Sequence, residues 1–283
     1  MTTMPVAASV CEPKLSRPQI QSPGLNLWIT RSSTFVVSMI QATEPTVWER
    51  TNQPDEFMVL LPEGSPATLE ANGQTVHHDG STDALAIVPP GNSKITLLGA
   101  SWIYAVTTTL AQDLAAAAGN TERYVDATET NVIAPPPPNG WQLHYYVLKD
   151  YNKPDTPARP FRSSNMLLNP FVPRDFRRDT RKLSPHLHDD FDQASLALKG
   201  NFIHHLRYPW IPDMTQWRED DHISVGSPSV TIMPAGVIHT SQDVGEGWAQ
   251  LIDIFAPPRP DFAERPGWIC NESDYVYLAE AHA

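Results

Sequence analysis

The second half of this chain repeats the first, and that repeat limits the fold more than any other feature. DEFMVLLPEG, residues 55–64, lines up with DQASLALKG so that Gly64 falls 136 residues before Gly200, while IVPPGNSK lines up with IMPAGVIH at an offset of 145. Such self-similarity means two copies of one supersecondary unit. The nine-residue difference between the offsets predicts an insertion in the second copy, around Tyr208 to Trp217. From Asn26 the chain is strand-like, β-branched and apolar with turn residues between segments, as in LNLWIT and STFVVSMIQA. Asn72-Gly73 between two alternating segments marks a tight hairpin. Proline, 28 of 283 residues, disfavours long helices and suits short strands joined by rigid turns. The expectation is an all-β chain with few short helices, the clearest being AQDLAAAAGN. A polar arm spans residues 1–24, the first unit 25–134, a polyproline linker 135–140, and the second unit with its tail 141–283, opened by the strand WQLHYYVL.

Chemistry concentrates in the second unit. In PHLHDDFDQASLALKG, His186 and His188 are one residue apart, so on a strand both imidazoles point the same way. After an acidic turn, Gln193, Ser195 and Ala197 share one face of the next strand, and Leu196 and Leu198 share the other. Pro234 and Gly236 form a turn that delivers His239 to the start of a later strand. Three imidazoles and one amide oxygen make a metal site, with His186, His188, Gln193 and His239 as ligands. Asp192 is a rival to Gln193. Sliding the four positions back by the repeat gives Arg50, Asn52, Phe57 and Lys94, none suited to a metal, so the first unit reads as a metal-free scaffold. Glu56 stands alone there as a remnant ligand.

At these residues the sequence resembles the cupin superfamily. The family's first motif, His-x-His, then Glu or Gln, then Gly after six residues, is met by His186, His188, Gln193 and Gly200. The second, Pro-x-Gly-x-x-His, is met by Pro234, Gly236 and His239. The six-residue count selects Gln193 over Asp192. The resemblance implies two tandem cupin barrels, the first degenerate, and one metal ion in the second. Cupins with glutamine at this position include uronate-processing and prephenate-derived isomerases and polyketide cyclases. The two-unit architecture also looks like that of ketodeoxyuronate and deoxyglucuronate isomerases, which usually carry Glu in place of Gln193. Bicupin dioxygenases share the same plan.

The net charge of −12 argues against nucleic acid or anionic membrane as a partner, because phosphate surfaces would repel it. Cys11 and Cys270 give no disulfide framework, which fits a reduced, cytoplasmic protein. The N-terminal stretch shows no charged region followed by an apolar core, and no run is long enough to cross a membrane. The arm is expected to pack on a neighbour in a homodimer. No nucleophile elbow, phosphate loop or dinucleotide fingerprint is present.

The ligand set is nitrogen and oxygen without thiolate, which suits divalent Fe, Mn, Ni, Co or Zn. All four ligands are neutral, so the ion keeps its charge and favours a small, oxygenated, anionic substrate. A Lewis-acid isomerase or lyase, acting for instance on a keto sugar acid, is the first reading. An Fe(II) dioxygenase is the second, and a ligand-binding cupin without turnover the third. His205, Arg207 and Asp253 are the candidate catalytic residues. Of His204 and His205, on opposite faces of one strand, at most one can look inward, and the turn leaves the parity open. Arg174, Arg177, Arg178, Arg181 and Lys182 form a basic cluster upstream of His186. It reads either as an anion-attracting rim or as partners of Asp175, Asp179, Asp189 and Asp190. Trp210 and Trp217 belong to the insertion, which is expected over the cavity mouth.

Overall fold

The computed structural model describes residues 4–125 and 134–275; the first residues of the arm and the last of the tail lie outside them. The chain runs β1 (Ser9–Cys11), β2 (Ile20–Ser22), β3 (Leu25–Arg31), β4 (Phe35–Ala42), β5 (Thr46–Gln53), β6 (Phe57–Leu61), β7 (Ala67–Ala71), β8 (Gln74–His78), β9 (Ala84–Val88), β10 (Gly91–Leu97) and β11 (Ser101–Thr108), then the short helix α1 (Gln112–Ala117). It continues with β12 (His144–Val147), β13 (Phe161–Arg162), β14 (Leu167–Pro170), β15 (Gln193–Lys199), β16 (Phe202–Arg207), β17 (Asp221–Val225), β18 (Ser229–Met233), β19 (Ile238–Asp243) and β20 (Gln250–Phe255), and ends with α2 (Pro260–Ala263).

Each unit is a pair of antiparallel sheets. The first combines the order β12-β9-β6-β11-β4-β3-β2 with β5-β10-β7-β8; the second combines β1-β18-β15-β20-β14-β13 with β17-β16-β19. Residues Asn72 (φ +49) and Gly73 (φ +72) both take the left-handed conformation of a two-residue hairpin between β7 and β8. In the second unit the equivalent turn carries residues 208–220, the insertion foreseen from the two offsets.

Strand periodicity decides how the units meet. Met58 and Leu60 of β6 point away from their barrel, as do Ala194 and Leu196 of β15, and all four join one buried cluster with Ile87, Val230 and Ile252. The two large sheets therefore pack face to face. The opposite face of β6, Phe57, Val59 and Leu61, fills the first barrel with hydrocarbon. Its counterpart on β15, Gln193, Ser195 and Ala197, lines the second. One barrel is solid and the other hollow.

Two expectations about organisation change. The strand placed at the head of the second unit, β12, pairs with β9 of the first, Tyr145 opposite Ala86. The arm's β1 pairs with β18 of the second, Val10 opposite Thr231, so it packs on its own chain. Since Val88 and Met233 are equivalent in the repeat, β9 and β18 are equivalent edges. Each unit thus receives the strand that precedes the other. Pro135–Pro138 stand between β11 and β12, and the crossing into the second unit comes only after Val147.

The edge of β18 would be bare without the arm, which Arg123 also holds through the carbonyls of Ala7 and Ala8 at 3.0 and 2.8 Å. Deleting residues 1–11 is expected to destabilise the chain by about 2–4 kcal/mol, a few net hydrogen bonds and their cover. Urea unfolding followed by fluorescence measures it; an unchanged midpoint would show the arm to be dispensable.

Candidate metal centre

The turn between β18 and β19 builds one side of the site. Gly236 adopts φ +75, where a side chain would be strained, and its N–H donates to the carbonyl of His188 at 2.6 Å. His186 and His239 pair as an isolated antiparallel bridge, each N–H donating to the other's carbonyl at 3.1 and 2.8 Å. The ligand atoms of His186, His188 and His239 then lie within 4.8 Å of one another. Gln193 Oε1 sits 3.1 Å from His188 Nε2 and 3.2 Å from His239 Nε2. These are the separations of neighbouring donors that share one ion at about 2.0–2.2 Å.

Backbone carbonyls set the imidazole tautomers. His186 Nδ1 donates to Ser184 O and His239 Nδ1 to Val237 O, each at 2.9 Å, which leaves both Nε2 atoms as lone-pair donors. Burial pushes His239 down to about 4, with the neighbouring histidines adding to the shift against the Val237 hydrogen bond. His188 is lowered to about 4 by burial and by the cation of Arg259. Both are neutral at physiological pH. Gln193 lies beside Asp253 and favours its carboxylate form, while its amide oxygen faces the imidazoles. The His239 Nε2 and Gln193 Oε1 lone pairs consequently face each other at 3.2 Å. A divalent cation between them resolves that repulsion, so the residues present fit a metal.

Asp192 is not a ligand. It turns the other way and accepts from Ser33 N at 2.9 Å, Ser33 Oγ at 2.7 Å and Ala235 N at 3.0 Å, tying the metal turn to the first unit. His188 lies stacked on Phe191, ring centroids 4.6 Å apart, and edge-on to Phe255. The tail shields this side, with Arg259 over Phe255 at 5.2 Å.

A cavity of about 300 Å³ opens from the site, lined by His186, Gln193, His239, Asp253, Arg174 and Arg178, by the hydroxyls of Ser184, Thr240 and Ser241, and by apolar side chains. Of the candidate catalytic residues, Asp253 alone lies in it. Partly open to the cavity but walled from bulk water, its carboxyl is pushed by burial up to about 7, against a hydrogen bond from Ser195 Oγ at 3.1 Å. His205 and Arg207 belong on the outside. Phe202, His204 and Leu206 take the inward face of β16, so the alternate residues face out. His205 contacts His222, Nδ1 to Nδ1 2.7 Å, and Arg207 pairs with Asp220 at 2.6 Å. His204, missed as a site residue, is fully buried beside the ligands and bonds Ser241 Oγ at 2.8 Å.

The basic cluster divides. Arg174 and Arg178 line the cavity, Arg177 reaches Gly245 O at 3.2 Å, and Arg181 pairs with Asp179 at 3.0 Å. Arg174 pairs with Asp243 at 2.9 Å, a partner outside those expected. Trp210 and Trp217 stack on each other, 4.9 Å apart, in an outer pocket with Leu187 and Ile238; they do not line the metal cavity.

Among the described residues the first unit holds no such cluster, though not quite as the repeat implies. A bulge between Gly91 and Ser93 shifts the register, so Ser93 faces Arg50 and Lys94 turns to solvent beside Glu70 at 3.4 Å. Phe57 packs edge-on to Trp48 where Gln193 would stand. Arg50, nearly buried, makes two bonds to Asp113 of 2.6 and 2.8 Å. Glu56 points out of the barrel to Tyr275 Oη at 2.6 Å.

Elemental analysis should find one metal per wild-type chain and its loss in His186→Ala and His239→Ala. Asp192→Ala should keep the metal while losing about 3 kcal/mol of stability, since three hydrogen bonds to a charged group disappear. Metal loss in Asp192→Ala with retention in Gln193→Ala would reverse the assignment. A second expectation concerns pH. Burial lowers His204 from 6.5 to about 4. As pH falls through that window, the unfolded chain gains a proton that the folded one refuses, so stability falls. In chelator-stripped protein, His204→Gln should flatten the stability profile between pH 6.5 and 4, removing up to about 3 kcal/mol of its drop. Parallel profiles for variant and wild type would contradict this.

No protein-family model and no curated protein matches the chain by sequence. Solved structures do. The protein Ylba from E. coli is similar with a TM-score of 0.60 at 14% identity, over 88% of this chain and 90% of that one. An oxalate decarboxylase variant from Bacillus subtilis gives 0.56 at 12%, over 94% and 82%. The oxalate decarboxylase formate complex from Lactobacillus farciminis gives 0.54 at 11%, over 83% and 81%. Among the described residues no helix is long and apolar enough to cross a membrane. The likeness spans both units of this chain and most of each relative, and with the histidine geometry it shows that the chain is built on the tandem cupin fold.

Proposed function

We propose that the chain is a mononuclear metal-dependent enzyme of isomerase or lyase type, acting on a small oxygenated anion. The observation that carries this is the pair of lone pairs on His239 Nε2 and Gln193 Oε1, 3.2 Å apart beside a carboxyl raised to about 7. When bound, a divalent ion supplies Lewis acidity at an oxygen of the substrate.

The chain's own residues do the rest. His186 and His239 stand at the cavity wall with His188 behind them, and the carbonyls of Ser184 and Val237 keep the His186 and His239 rings oriented. Arg178 lies on the same side, held to Ser184 Oγ at 2.8 Å, and can receive a substrate carboxylate through charge-assisted hydrogen bonds. Asp253 Oδ1 or Oδ2 takes and returns a proton. A carboxyl near 7 exists in both forms at neutral pH, the condition for efficient general acid–base work. Gln193 stands between the two functions, its oxygen toward the imidazoles and its amide beside the carboxyl of Asp253. The fold is shared with oxalate decarboxylases, whose named substrate is itself a small anion, and this is consistent with the reading.

Zn(II)- or Co(II)-loaded protein, incubated without oxygen in deuterated water with a panel of keto and hydroxy acids, should exchange a carbon-bound proton, followed by NMR. Asp253→Asn should keep its metal and lose about two to four powers of ten in rate. Oxygen uptake by Fe(II)-loaded protein, with no anaerobic exchange, would favour the dioxygenase instead.

A further inference from the structure

The wall of the cavity beyond the ligands says what kind of molecule fits. We infer that the substrate is an α-keto or α-hydroxy acid with a hydrocarbon body, rather than a polyhydroxylated sugar acid. This rests on the proposed metal-assisted reading and deepens it.

Charged and polar groups gather at the ligand end of the cavity; along the β19 wall Thr240 and Ser241 add hydroxyls, that of Ser241 engaged with His204 at 2.8 Å. Asp253 faces Ser195 across β20 and β15, and Leu251 faces Ala197. Because alternate residues share a face, Leu251 and Ala249 continue the Asp253 wall at about 7 and 13 Å from it along the strand. Phe171 follows the same line, its N–H donating to Leu251 O at 3.1 Å. Val172 and Phe202 close the section from either side. The far end is nearly neutral, because Arg174 is paired with Asp243 at 2.9 Å. Arg178 stands with the ligands through Ser184, so the carboxylate belongs beside the metal and the body of the molecule beyond it.

Size and polarity then choose the class. At about 30 Å³ per water-sized group, a cavity of about 300 Å³ holds about ten non-hydrogen atoms. A sugar acid would place its hydroxyls against Leu251, Phe171, Val172 and Phe202, which offer no hydrogen-bond partner. Each unpaired hydroxyl lowers affinity roughly tenfold. A branched alkyl or small aryl body instead removes apolar surface from water on both sides.

The test is calorimetric titration of Co(II)-loaded protein, with the visible spectrum of the ion as a second readout. Ketoisocaproate is compared with its hydroxylated counterpart of similar size, 2-keto-3-deoxyarabonate, and with pyruvate as the head group alone. Ketoisocaproate should bind at least tenfold more tightly than either. Leu251→Asn, or Val172→Asn if the first variant unfolds, should erase most of that preference without changing the affinity for pyruvate. Equal affinities, or tighter binding of the hydroxylated acid, would overturn the inference and leave the metal reading standing. Failure of all three acids to bind or to perturb the spectrum would overturn both.

Discussion

The apolar contact between the two large sheets determines what remains for each barrel interior. Once Met58, Leu60, Ala194 and Leu196 are committed to the shared cluster, strand alternation leaves the other face of β6 and β15 to look inward. On β6 that face is Phe57, Val59 and Leu61, and the barrel closes on hydrocarbon. On β15 it is Gln193, Ser195 and Ala197, small or polar side chains that cannot fill the space. The same packing constraint therefore yields a solid barrel and a hollow one. The Arg50–Asp113 pair completes the difference, because a paired guanidinium now stands at the repeat position that His186 holds in the second unit.

Inside the hollow barrel the decisive feature is which atoms carry protons. Two carbonyls claim the Nδ1 protons of His186 and His239, burial keeps His239 neutral, and Gln193 turns its amide oxygen toward the imidazoles. Each contact is ordinary by itself. Together they aim unprotonated nitrogen and amide oxygen at a common point, an arrangement that costs energy until a cation is present. The electrostatics that favour a metal and the strand register that builds the cavity thus have one origin, the placement of Gln193 at the head of β15.

Much of this was legible in the sequence, and the parts that were not share a cause. The structure brings His186, His188 and His239 together beside Gln193, as the short motifs imply, because such motifs fix local geometry. Alternation on β20 left either Gln250 and Ile252 or Leu251 and Asp253 facing inward, and the structure takes the second pair. The mistaken catalytic candidates, His205 and Arg207, sit across a turn, where one residue of register reverses every side chain, and the β15–β20 pairing itself shifts between Ala197 and Lys199. Lys94 fails for the same reason, through the bulge after Gly91. The exchange of β1 and β12 between units left no local signature at all, since either edge could accept either strand. Pairing across more than two hundred residues, Val10 with Thr231, is decided by tertiary packing alone.

The division of labour has an energetic side. Burying neutral His188, His204 and His239, all lowered to about 4, and holding Asp253 near 7 carries a solvation cost that a filled barrel avoids. The solid first unit, joined through the sheet contact and by the Asp192–Ser33 bonds, offsets that cost without touching the cavity. Metal binding offsets it further, because a ligand that binds only the folded form stabilises it by mass action. The degenerate barrel is then a support rather than a remnant. Its hydrocarbon interior and its grip on the metal turn through Asp192 let the neighbouring barrel keep polar groups, and open space, where an isolated one would need to be packed.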